Sequence, residues 1–321
     1  ESIETEGRRI AVITVPKGLN KPYYTADNKY YVRVGTTKRI ASKEELLRLF
    51  EASGSLHFDI SPIEGTSIKD LYIDVIRDYY IKYNIFDLYE ETKESVERIL
   101  VNADILKEVD GRKLCTVGGL LMFGKNPERH LPQNGVSFAH FSGNEITDVL
   151  IDKKTITGRI QDIAEQIMVV IKTNLLIPSV VNGLKREDKE EYPMVVMREA
   201  IVNSLVHRNY SISGSKIRVF MYDDRIEFKS PGRLPNTVTI EKMKIGVSYA
   251  RNPFLVKYME NMRYIDQLGR GIPMILKKMK EAGAKEPLLM EQGEEFVVTI
   301  YTTEPRRKAV NWDDGLRTTT T

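Results

Sequence analysis

The sequence predicts an α+β protein made of several packed units, and three observations carry that prediction. Its 321 residues exceed one small module, since a domain takes about 100 to 200 residues. Strand-like alternation and helix-like spacing both recur along the chain, in separate groups. Between Pro193 and Tyr210 lies a helix pattern whose polar stripe is flanked by apolar residues on both sides. A hydrophobic content of 41% beside 29% charged residues suits a packed core and excludes a disordered chain. The 48 basic and 45 acidic residues leave a net charge of +3, too even to argue for nucleic acid.

In order along the chain, Arg9 to Val15 and Tyr30 to Val34 read as strands, with Pro16, Gly18 and Asp27-Asn28 in the turns and Gly35 ending the second strand. Ser42 with Glu45 three residues on forms a capping box and predicts a short helix through Leu49. These residues make a small unit, 1–53, and the turn-rich 54–66 is placed as a linker. Helices are predicted over Ile68 to Tyr83 and Lys93 to Ala103, then a hairpin turning at Asp110-Gly111. Two helices and a hairpin resemble a winged-helix layout, but plain packing is the favoured reading of the same order. Cys115 lies in a strand-like run and reads as a structural residue; a lone cysteine forms no internal disulfide. Val136 to Phe141 predicts a strand, and Ile160, Ile163, Ala164, Ile167 and Ile171 predict an amphipathic helix, completing a middle segment, 67–190. A last unit, 191–303, has a helix beginning at Tyr192-Pro193, a hairpin of Lys216–Tyr222 and Arg225–Lys229, a loop, a helix and a strand; 304–321 is a tail.

Gly119 to Asn126 comes within one residue of the phosphate-loop pattern of glycine, four residues, glycine, lysine, serine or threonine. The chemistry does not follow. Asn126 stands where a hydroxyl should hold magnesium, Pro127 disfavours helix at that point, and the large apolar residues between the glycines suit a buried strand. No apolar run approaches the roughly 20 residues needed to span a bilayer, and Glu1 to Thr5 is unlike a signal peptide. A cytoplasmic protein is expected, and the abrupt start and threonine-rich end are expected of a piece of a longer chain.

Glu199, Asn203 and His207 recur every fourth residue, about 40° apart around the helix, and so share a face. Val195, Val206 and Ala200 border the stripe, and Met194, Ile201 and Leu205 cover the back, so the polar residues need a ligand or buried partners. A carboxylate one turn from an amide oxygen can orient a water while the amide coordinates a phosphate-bound magnesium. The spacing fits equally well a buried Glu and Asn tied to backbone, or to Arg198 and Arg208.

The run from Arg198 to Tyr210 resembles the N-box of the divergent GHKL ATPase domain found in proteins labelled as transcriptional regulators or helicase-related. Ile226 to Pro235 resembles that family's first glycine box; Arg251-Asn252-Pro253 and Asp266 to Ile272 resemble its next two motifs, and Gly293 with Phe296 its closing strand. The resemblance spans 192 to 301 and implies a GHKL (Bergerat) α/β sandwich that binds ATP and Mg2+. It implies Glu199 as the catalytic base and Asn203 as the metal ligand. Asn203, His207, Ser230, Gly232, Gly269, Arg270 and Gly271 would contact the nucleotide. Gly269 and Gly271 suit phosphate contact physically, because amides can approach there and a helix follows. One departure matters: the family's adenine-reading aspartate is replaced by Ser230, and Arg233-Leu234 stands where a second glycine is usual.

Tyr30 to Ala41 resembles the end of a Schlafen-type AlbA domain, of which only the last part is present, so none of that domain's nuclease or nucleic-acid activity transfers to these residues. Lys38-Arg39 reads as a solvated turn in preference to a phosphate contact. The leading expectation is therefore an ATP-binding transcriptional regulator with slow or no hydrolysis. The alternative is a non-catalytic protein that binds DNA, through the AlbA portion or the middle segment, and keeps a degenerate nucleotide site. A helicase motor lacks phosphate-loop chemistry here, and a homodimer is left open.

Overall fold

The computed structural model describes residues 2–5, 8–11, 13, 21–84, 88, 91–175, 179–182, 185–188, 190–235, 238–265 and 269–303. Two small hairpins open the chain, β1 (Ser2–Thr5) with β2 (Arg8–Ala11) and β3 (Tyr31–Val34) with β4 (Thr37–Ile40). The second strand matches expectation, with Gly35 at φ +59 in the turn after it. Val15, Pro16 and Gly18 lie outside the described residues. The capping box at α1 (Lys43–Ser53) is formed in both directions: Glu45 N–H donates to Ser42 Oγ at 3.3 Å and Ser42 N–H to Glu45 Oε2 at 2.8 Å. This helix runs a turn beyond Leu49 because Gly54, at φ +80, is the first residue able to end it in a left-handed cap.

The turn-rich stretch that follows holds a 310 turn, Phe58–Ile60. Asp59 in that turn is fully buried and accepts from the Phe254 amide at 2.8 Å and the Leu255 amide at 3.4 Å. Its other carboxylate oxygen has no partner, and burial pushes its pKa up to about 6. A raised native pKa means that the folded chain holds this proton when the unfolded chain has released it. Stability should therefore fall as pH rises from about 4 to about 6, by about 3 kcal/mol in all. Asp59→Asn should flatten that part of the pH profile in urea titrations, and an unchanged profile would assign the dependence to other groups.

The helix expected over Ile68 to Tyr83 is interrupted. A 310 turn, Ile68–Asp70, gives way at Leu71 to an extended residue bridged to Gly124, and α2 (Ile73–Asn84) begins after it. Then come α3 (Lys93–Asn102) and the hairpin β5 (Leu106–Val109) with β6 (Arg112–Cys115). Asp110 and Gly111 both have positive φ, +49° and +71°, as a two-residue hairpin turn requires. Cys115 is buried and its thiol is pushed up to about 12 by burial, which makes it inert.

The apolar run after Cys115 is a helix, α4 (Val117–Phe123), where a strand was expected. Short apolar runs carry no period that separates the two, and Thr116 decides the outcome by capping the Gly119 amide at 2.9 Å. All seven residues of α4 are buried, and the glycines let it lie against the Phe254 ring and the Ile105 carbonyl. Gly124 closes this helix and Asn126 precedes the short α5 (Pro127–His130), so no phosphate loop forms.

The main layer is a six-stranded sheet. Its strands are β7 (Val136–Ser142), β8 (Val149–Ile156), β11 (Ile217–Met221), β12 (Arg225–Pro231), β13 (Leu288–Gln292) and β14 (Glu295–Tyr301), in the order β13-β14-β12-β11-β7-β8. Another hairpin, β9 (Ser179–Asn182) with β10 (Lys185–Asp188), stands outside it. Only β7 and β11 pair in parallel, a geometry that demands a long crossover. That crossover includes α6 (Ile160–Asn174) and α7 (Met194–Val206), which pack on each other; α6 also lies on β7 and β8, and α7 on β12. The sheet therefore draws strands from both sides of residue 191.

After β12 come α8 (Ile240–Lys244), α9 (Pro253–Asn261) and α10 (Gly271–Glu281), the last packed on α7 and α8. α7 is apolar nearly all round and buries Val196, Met197, Ala200, Ile201, Val202, Leu205 and Val206, as a helix enclosed between other helices and a sheet must. Among the described residues no helix is long and apolar enough to cross a membrane.

Candidate functional site

Along one side of α7 runs a cavity of about 380 Å3, lined by Glu199, Asn203, Ser204 and His207 from α7 and its C-terminus. Ser230 and Gly232 from the end of β12, Gly269 and Gly271 at the entry to α10, and Phe296 and Val298 from β14 complete the polar stripe's surroundings. The stripe thus faces a void between apolar walls rather than bulk solvent.

The helix ends sooner than expected. Val206 is its last residue, and His207 caps it with its amide bonded to Asn203 O at 3.0 Å. Two side chains account for the stop. Asn252 Nδ2 donates to the carbonyls of Val206 and Arg208, each at 2.8 Å. Arg208 turns inward to bond the carbonyls of Asn209, Ile212 and Ser215. His207 keeps its place in the lining, and burial together with the Arg251 charge pushes its imidazole down to about 4. At neutral pH it is an uncharged hydrogen-bonding group.

At the other end of the stripe, Asn203 Nδ2 donates to Glu199 Oε1 at 2.9 Å. The Asn203 Oδ1 takes no hydrogen bond from the described residues. Gly271 approaches these two side chains so closely that a Cβ on it would overlap Glu199 Oε1 and lie 3.2 Å from Asn203 Nδ2. α10 has no side-chain cap at its N-terminus and Pro273 at its third position has no amide hydrogen, so its first-turn donors are the Gly271 and Ile272 amides, which bond no partner among the described residues. Gly269, at φ +68, packs its backbone on Gly246. Asp266, Gln267 and Leu268 of the same motif lie outside the described residues, and Arg270 is exposed and absent from the lining.

At the β12 end, Ser230 Oγ donates to Ser204 O at 2.9 Å and is buried. With its hydrogen committed, this hydroxyl can only accept from a group in the cavity. Gly232, at φ +116, gives its amide to Glu294 O at 2.7 Å and leaves no room for a Cβ, which would fall 2.6 Å from Asn209 Cβ. Its role is to admit close packing, since its N–H is already taken.

The donor set suits a magnesium ion bound mainly through phosphate oxygens, with Asn203 Oδ1 as its protein ligand. Among the described residues no cluster of three or more His, Cys, Asp and Glu offers an alternative metal cage. Tyr249 and Arg251 had no assigned role in the sequence, and neither had Val238, Met243 and Val247, which line the cavity from the stretch around α8. The signal for the last was legible as apolar residues recurring through a loop-like segment, Val238, Ile240, Met243, Ile245 and Val247.

The N-terminal unit reaches this rim. The Tyr249 hydroxyl lies against Gly54 at the end of α1, and Glu51 of α1 accepts from Ser211 Oγ at 2.8 Å. In the middle segment, the hairpin cations Arg112 and Lys113 pair with Glu64 and Glu97 at 3.2 and 2.6 Å.

Comparison with known proteins agrees with an ATPase-like, GHKL-related domain in the last third. Residues 214–300 match the family described as "Putative ATP-dependent DNA helicase recG C-terminal". Among solved structures, the chain is similar to the DIP2311 protein from Corynebacterium diphtheriae, with a TM-score of 0.59 and 19% identity. That likeness covers 95% of this chain and 59% of the other, so the chain spans about three fifths of its neighbour's length, and at this identity the likeness speaks for the fold alone. No curated protein matches the sequence.

Proposed function

We propose that this cavity binds ATP with a magnesium ion and that its occupancy serves as a switch in a regulatory protein, with slow hydrolysis or none. The observation that carries the reading is the uncapped N-terminus of α10 set against Glu199 and Asn203. The Gly271 and Ile272 amides and the positive end of α10 receive phosphate oxygens. Asn203, held by its bond to Glu199, presents Oδ1 to the cation. When bound, magnesium supplies charge neutralisation for the phosphates. Glu199, one turn along α7, is positioned to take a proton from an attacking water.

Ser230, able only to accept, favours a base with an amino donor at this end, as adenine has and hypoxanthine lacks. The contacts of Gly54 and Glu51 at the rim support a regulatory use, because they connect α1 to the cavity. A transcriptional role by direct DNA contact has less support, since Arg112 and Lys113 of the hairpin are already paired.

Titration calorimetry of the 321-residue chain tests the reading. ATP with magnesium should bind, ITP should bind about tenfold more weakly, and Asn203→Ala should remove the magnesium-dependent part of the affinity. No heat at millimolar ATP would reject it.

A further inference from the structure

From Ser248 to Pro253 every residue but Asn252 lines the cavity, and Asn252 is the one that ties down the end of α7. Until α9 begins at Pro253, this stretch has neither helix nor strand. The amides of Ser248, Tyr249, Ala250 and Arg251 bond no backbone carbonyl among the described residues. The stretch is therefore a single-layer wall, the kind of segment that opens at little cost unless something holds it.

Residues 51–59, the end of α1 and the turn after it, do the holding. None of them lines the cavity, so they meet the wall from behind. Gly54, which closes α1 at φ +80, lies so close under the Tyr249 hydroxyl that an added Cβ would overlap its oxygen. His57 Nδ1 stands 3.5 Å from the Arg251 carbonyl oxygen. Asp59 accepts from the Phe254 and Leu255 amides, between the lining residues Pro253 and Val256. These contacts advance together along both segments, so the segments run side by side.

Glu51 reaches a second part of the rim. It accepts from Ser211 Oγ at 2.8 Å, and the Ser211 amide donates to Asn209 Oδ1 at 2.9 Å, beside Gly232 of the lining. Glu51 and Asp59 are both buried, which fits carboxylates committed to these donors rather than to solvent.

Resting on the nucleotide reading above, we propose that residues 51–59 are a positioning strap that sets the 248–253 wall against the bound nucleotide. Nucleotide and strap order the same wall from its two sides. Each spares the other part of the ordering cost, so filling the cavity also fixes the end of α1. Tyr249 meets the ligand on one side and Gly54 on the other. Glu51, Gly54, His57 and Asp59 act through their neighbours and are positioning residues.

Hydrogen exchange of the full chain, followed peptide by peptide with and without magnesium-ATP, reads the coupling, while calorimetry reads the binding. Saturating ATP should slow exchange in α1 by about fivefold and leave the β5–β6 hairpin unchanged. Equal slowing in both would be general stabilisation by the ligand and overturns the strap. Tyr249→Ala should weaken ATP by about fivefold and abolish the slowing in α1. Slowing that survives this change overturns the strap. Ser211 does not line the cavity, so it reads the coupling in reverse. Ser211→Ala should weaken ATP by about threefold, and Ser211→Thr, which keeps the hydroxyl, should restore the affinity. Full affinity in Ser211→Ala overturns the part of Glu51. ATP bound without any change in α1 rejects the strap and keeps the nucleotide, whereas no ATP binding rejects both.

Discussion

Gly271→Ala should weaken magnesium-ATP binding by about 30-fold while leaving the fold intact. The two halves of that expectation have different causes. Gly271 is the first residue of α10 and is not among the positive-φ glycines, so its backbone accepts a side chain, and alanine is a better helix former than glycine by about 1 kcal/mol. The added Cβ meets the carboxylate end of Glu199 and comes near the Asn203 amide. The first is the far end of a flexible side chain that can move aside, at little cost to stability. Moving it displaces the carboxylate and, through the 2.9 Å bond, the amide that would hold the cation. Misplacing such groups is worth about 2 kcal/mol, hence the 30-fold estimate. Calorimetry for affinity and thermal unfolding for stability separate the two effects. Unaltered affinity with a normal melting curve would remove Gly271 from the ligand site, and with it the assignment of α10 as the phosphate end.

The same glycine illustrates what the sequence could and could not reveal. Glu199, Asn203 and His207 were legible as a face, because a four-residue spacing fixes direction on a helix whatever the surroundings. Gly269 and Gly271 were legible as a close approach, because only the lack of a Cβ distinguishes them. Neither observation says what lies opposite. The sheet joining β7 to β11 in parallel depends on pairing between strands some 80 residues apart, and nothing in either strand's own pattern encodes its neighbour. α4 failed for a different reason. Seven apolar residues in a row look alike as helix or strand, and the Thr116 cap that decided the matter was hidden by the glycines beside it. Arg251 stood within a motif, yet its place in the cavity lining and its bond to the Arg233 carbonyl exist only once β12 and α9 are assembled. Ser230 is similar. A serine in the strand could donate or accept, and the Ser204 carbonyl settles the choice.

Arg208→Met should cost about 3 kcal/mol or more in urea unfolding at neutral pH, the largest stability effect expected of a residue outside the cavity. Arg208 is fully buried. Burial pushes its guanidinium down to about 10, so it remains charged at neutral pH. No salt bridge to a described carboxylate offsets that charge; carbonyl oxygens do so, those of Asn209 at 2.6 Å, Ile212 at 2.7 Å and Ser215 at 2.6 Å, with the Tyr210 ring 4.9 Å from the guanidinium carbon. Methionine matches the stem and leaves those carbonyls without their donor, at about 1 to 3 kcal/mol for each that stays buried. Removing the guanidinium also relieves its own burial cost, so the lower part of the summed range is expected. A change below about 1 kcal/mol would mean that water or a rearranged loop replaces the bonds. The consequence for function runs through the same loop. Asn209 packs on Gly232 and bonds Pro231 O through its amide, while Ser211 holds Glu51. A loop that Arg208 no longer gathers would free both the β12 end of the cavity and the contact with α1. Arg208 thus supports the site from behind, through backbone that the ligand never touches.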